Sequence, residues 1–140
     1  MRNVAFAFAI ACVPGTLPAL ADGWPAGAKL TILAPAGGAT VTGPVTVIMG
    51  LAGLGVAPAG VDKPNTGHHH ILIDMPAPEG AALEESMPAD DHLKHFGGGQ
   101  TQTDLKLSPG THTLQLILGD QNHIPHNPPL LSDKITITVK

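Results

Sequence analysis

At 140 residues the chain has room for one hydrophobic core and none for a multidomain enzyme. Seven basic against eleven acidic side chains give a formal net charge of −4, without the basic stripe that nucleic acid or an anionic membrane surface would require. One Trp, three Phe and no Tyr leave no stacking platform for bases or sugars.

The N-terminus reads as a secretory leader. Arg2 supplies the positive start, Val4 to Val13 the apolar stretch, and Ala19-Leu20-Ala21 the small-x-small cleavage site. Cleavage after Ala21 predicts a periplasmic domain running from Asp22 to Lys140. The apolar stretch falls short of the roughly 20 residues a bilayer span needs, and no later run comes closer, so no membrane span is expected. The only cysteine, Cys12, lies in the leader. The exported domain therefore has no disulfide, thiolate ligand or thiol nucleophile, although processing at Cys12 would give a lipid-anchored alternative.

Alternating β-branched and aliphatic residues between Gly and Pro clusters predict short strands. Lys29 to Ala34 comes first, with Leu30, Ile32 and Ala34 on one face, and Val45 to Leu51 follows with Val45, Val47, Met49 and Leu51 inward. His69 to Met75 places Ile71, Ile73 and Met75 on the core face. A polar connection then carries Glu84, Glu85, Asp90 and Asp91, with one helical turn near Ala81 to Glu85 confined by Pro78 and Pro88. Thr101 to Leu107, Thr111 to Leu118 and Lys134 to Val139 complete the set. The fold class expected is an all-β, antiparallel β-sandwich of six to eight short strands.

The run PAGGATVTGPVTV and the later SPGTHTLQLILGD resemble strands of bacterial immunoglobulin-like modules. That resemblance implies strands A, B and E at Leu30, Val45 and Leu105, and C, F and G at Ile71, Leu114 and Ile137. In such a sandwich the B–C, D–E and F–G connections gather at one pole. His68, His69, His70, His92, His95, His123 and His126 would then meet there, with His112 alone at the other end.

Several imidazoles brought together need hydrogen-bond partners and repel one another once protonated, and a shared metal ion removes both costs. Along a strand His68 and His70 project to one side about 6.6 to 7 Å apart, close enough to converge on one ion. His69 points the other way and is the weakest ligand candidate. His92-x-x-His95 and His123-x-x-His126 have spacings that a turn could use for chelation. Asp120, near His123 in sequence, is placed to orient an imidazole from behind. His112 shares a face with Leu114 and Leu116 and reads as structural, the acidic cluster as a solvated loop, and Met49, Met75 and Met87 as core fillers.

Three segments, NTGHHHILID, HLKHFGGGQT and PGTHTLQLILGDQNHIPHNPP followed by SDKITITV, resemble the exported bacterial family known as domain of unknown function 4399. The resemblance covers about Gly53 to Val139 and implies an exported single domain with these histidines as its signature. It brings no activity with it.

A nitrogen-rich, thiolate-free donor set suits copper(II) or zinc. The leading expectation is thus a non-enzymatic periplasmic protein that sequesters, carries or delivers such an ion, in exchange with another metal-handling protein. The alternatives are an immunoglobulin-like interaction module whose histidines only tie loops together, and a metalloenzyme related to copper–zinc superoxide dismutase. The second lacks that enzyme's disulfide cysteines and guiding arginine. Histidine-brace oxidases need His as the first mature residue, where Asp22 stands. Neutral imidazoles are the donors, so acid should release the ion while the strands hold the fold.

Overall fold

The computed structural model describes residues 23–140. The expected leader with Cys12, its cleavage site and Asp22 lie outside the described residues.

Two sheets face each other. In the first, β1 (Lys29–Ala34), β3 (Val45–Ala52) and β7 (Gln102–Leu105) run antiparallel in the order β1-β3-β7. The second is built on β5 (Thr66–Ile73), β8 (Gly110–Gly119) and β9 (Ile135–Val139). There β8 pairs antiparallel with both neighbours, and β2 (Thr40–Val41) extends the β9 edge in parallel. The free edge of β5 is taken at one end by β4 (Gly55–Val56), in parallel, and further along by β6 (Leu93–His95), antiparallel. The strands expected as A, B and E share one sheet, and those expected as C, F and G share the other, as the immunoglobulin-like order requires.

Alternation explains the core. Val45, Val47 and Met49 point inward from β3 and meet Ile71, Ile73, Leu114, Leu116, Leu118 and Ile137 from the opposing sheet. The second sheet, however, is covered on both faces. Leu72 and Ile117 turn outward from β5 and β8 and pack with Met87 and Leu93 of the long connection. That connection lays its acidic side chains in solvent, makes one 3-10 turn at Gly80–Glu84, and folds its apolar residues back over the sheet. A strand buried on both sides loses the polar–apolar alternation and reads as an unbroken apolar run, which is what Ile71-Leu72-Ile73 is. Met75 was expected beside Ile71 and Ile73 but packs on the outer cluster, because Asp74 turns the chain at φ 55° and ends β5.

The Asp74 turn is tied to β8 by a clasp. Asp74 accepts the Thr113 N–H through Oδ1 at 2.8 Å, and His112 Nδ1 lies 2.6 Å from Oδ2. His112 Nε2 donates to the Ser108 carbonyl at 2.8 Å. Both ring nitrogens donate only in the imidazolium, so the Asp74 carboxylate and then the Ser108 carbonyl push the His112 pKa up. A raised folded-state pKa stabilises fully below the ordinary value of about 6.5 and fades as pH rises through the higher folded value. His112→Ala should therefore cost about 1.5–3 kcal/mol near pH 6, the range for hydrogen bonds to charged groups. Urea unfolding of the two proteins from pH 6 to 9 should show the gap narrowing with pH; a gap that widens would contradict the clasp.

Candidate metal centre

His68, His69 and His70 are 0 to 1 % exposed, so β5 sends all three into covered space. Period-2 alternation splits them. His69 faces between the sheets with Ile71 and Ile73, whereas His68 and His70 face the outer layer with Leu72. His95, the last residue of β6, stands directly across from His70 in the antiparallel register. His123 comes from the loop after β8, where it takes a φ of 67°.

Ring nitrogens of His68, His70, His95 and His123 all lie within 4.8 Å of one another. His68 Nε2 is 3.0 Å from His123 Nδ1 and 3.1 Å from His95 Nε2. That one nitrogen carries either a proton or a lone pair, so it cannot satisfy both neighbours. His68 Nδ1 and both nitrogens of His70 are buried with no protein partner. Donors bound tetrahedrally at about 2.0–2.1 Å sit roughly 3.3 Å apart, so a modest inward closure of this set would hold one ion.

The site's electrostatics keep lone pairs free. Burial, then the charges of His95 and His123, lower the His68 pKa to about 4, with Asp120 pulling the other way. Burial and the neighbouring His68, His95 and His123 take His70 to about 3. His95 is lowered by burial and by His123.

Glycines make the space. A Cβ on Gly119 would sit 2.6 Å from His70 Cε1 and 3.2 Å from the Met87 methyl, and one on Gly97 would sit 2.5 Å from His95 Nε2. These positions were missed in the sequence reading, although each adjoins a predicted ligand segment or its paired strand.

Two expected ligands stand apart. His92 was paired with His95 on a turn-like spacing, but β6 runs extended beside β5 and carries His95 to His70, while His92 stays beside Ile73. The His92 ring lies at the far end of β5, its Nδ1 3.0 Å from the Ile73 carbonyl. His126 turns away at φ 63°, with Nε2 3.1 Å from Asp120 Oδ2 and its ring edge-on to Trp24 at 5.4 Å. It lines, with Trp24 and Asp120, a separate cavity of about 260 Å³. His69 does not join the cluster either, and neither of its ring nitrogens is paired.

Asp120 acts on the loop more than on a ligand ring. Its Oδ1 accepts the Asn122 and Ile124 N–H groups at 2.8 and 2.9 Å, and its carbonyl accepts the His123 N–H at 3.0 Å. Met87 N–H donates to the His123 carbonyl at 3.0 Å, fastening the loop to the outer layer.

Among known families, residues 47–140 match the one described as Domain of unknown function (DUF4399). No curated protein and no solved structure matches the chain.

Three imidazoles inside β5 revise the expectation that acid spares the strands. The unfolded chain takes up protons near pH 6.5, whereas folded His68 and His70 refuse them until about 4 and 3. Stability of the metal-free protein is thus fully present above about pH 6.5 and drains as pH falls toward those values. Urea midpoints at pH 7.5, 6 and 5 should fall in that order, and His69→Leu should flatten the decline. Midpoints constant over this range would contradict the burial.

Proposed function

Because the chain belongs to the DUF4399 family, whose description assigns no chemistry, we propose from the site itself that it is an exported metal-binding protein. His68, His70, His95 and His123 hold one copper(II) or zinc ion for sequestration, carriage or delivery. The observation that carries this reading is the convergence of four imidazoles, the two buried ones among them keeping ring nitrogens without a protein partner. An all-nitrogen donor set without thiolate accepts either ion, and intrinsic affinity order puts copper(II) above zinc. Periplasmic location rests on the leader pattern and fits a copper-handling role.

The alternative of loops merely tied together draws on the contacts of His68 with His123 and His95. It leaves His70 without any partner, a cost of about 1–3 kcal/mol for each buried unpaired polar group. An ion takes up the lone pair of one His70 nitrogen and removes that nitrogen's share of the cost.

Trp24 is the only Trp and there is no Tyr, so emission reports on one ring, which touches His126 beside the Asp120 loop. Copper(II) added to untagged protein should quench Trp24 emission with an endpoint at one equivalent. His68→Ala with His70→Ala should abolish that endpoint, His95→Ala, at an exposed position, should weaken it, and His112→Ala should leave it in place. A folded wild-type protein with no endpoint, or a folded double variant that retains it, would refute the assignment.

A further inference from the structure

The four ligand side chains are unequally placed. His68 and His70 lie under the outer layer at 0 and 1 % exposure, and His123 is half-buried, its loop fastened through Met87. His95 alone is exposed. Its ring borders Gly97, and the Ala59 N–H donates to the Gly97 carbonyl at 2.8 Å. The Gly60 N–H donates to the Gln121 carbonyl at 2.9 Å, linking the same segment to the His123 loop. Val56 and Pro58 lie against Gly99. Val56 and Val61 are 37 and 42 % exposed, and neither Gly53 to Val61 nor Phe96 to Thr103 contains a charged residue. The two segments beside the open side of the site are therefore uncharged and weakly apolar and are tied by backbone hydrogen bonds, with one ligand at their edge and the buried His68 and His70 behind it.

Building on the metal reading above, we propose that the ion is exchanged at His95, with a partner protein that presents a neutral imidazole from an uncharged apolar surface. The bond from the ion to His95 breaks as one to the incoming imidazole forms. Both imidazoles are neutral, so no proton or electron moves and the charge of the ion is unchanged. His68, His70 and His123 keep their bonds until the ion has a second hold on the partner. A partner steered by charge finds no counterpart on these segments, whereas apolar flanks beside the incoming imidazole can cover Val56 and Val61.

The copper(II)-loaded full chain tests this with two probes. Free imidazole added to loaded His95→Gly should restore the wild-type visible and electron paramagnetic resonance spectra, because the vacated position opens to solvent. The same imidazole should not restore His70→Gly. Should that variant fail to fold, transfer from the wild-type protein decides instead. Transfer to a blocked peptide with one His between apolar residues should rise linearly with peptide concentration. Val61→Glu should slow it about tenfold, the scale of burying one Val, without slowing transfer to N-acetylhistidine amide. Equal slowing of both acceptors, slowing of neither, or imidazole rescue of His70→Gly would overturn the proposal. Failure of the metal reading would show earlier, as no copper taken up by the wild-type protein.

Discussion

A strand covered on both faces has nowhere to send a polar side chain, and β5 carries three imidazoles in succession at its entry. On the inner side His69 is buried, and burial lowers its pKa. On the outer side His68 and His70 meet His95 and His123, where one shared acceptor could take a lone pair from each. Much of the molecule serves that end of β5. Gly119 and Gly97 leave room for the rings, Asp120 shapes the loop that delivers His123, and the connection carrying Met87 and Leu93 closes the outer face.

The same strand pair carries the opposite imidazole chemistry at its other end. His112 lies seven residues before Gly119 on β8, roughly 20 Å away along an extended strand, and is held between a carboxylate and a carbonyl that favour its cation. Acid thus acts in two directions on one pair of strands: it reinforces the Asp74 clasp and works against the buried cluster. Separation along the strands lets one small domain favour the cation of His112 and the neutral form of His68 and His70.

The sandwich was legible because its inner face obeys a period of two. Lys29–Ala34 matches the expected first strand residue for residue, and β3 and β8 differ from expectation only at their ends. The outer layer was not legible, since Met87 and Leu93 are isolated apolar residues in a polar segment and β6 is three residues long. The expectation gave the histidines a pole and no face, and the cluster sits on the outer face of the larger sheet. His68 and His70 were found by alternation alone. His95 and His123 were found with their neighbours His92 and His126, because spacing cannot distinguish an extended segment from a turn. The extended β6 carries His95 away from His92, and in the loop after β8 His123 and His126 both take positive φ angles, with His126 beside Trp24.

The central claim is that the imidazoles of β5, β6 and the loop after β8 share one ion, and X-ray absorption at the metal edge of the loaded, untagged protein tests it most directly. The account predicts a first shell of nitrogen at about 2.0–2.1 Å for zinc, with the outer-shell scattering of three or four imidazole rings and no sulfur. A shell dominated by carboxylate or water oxygen, with at most one imidazole, would place the ion on exposed acids such as Asp90 and Asp91 and contradict the account.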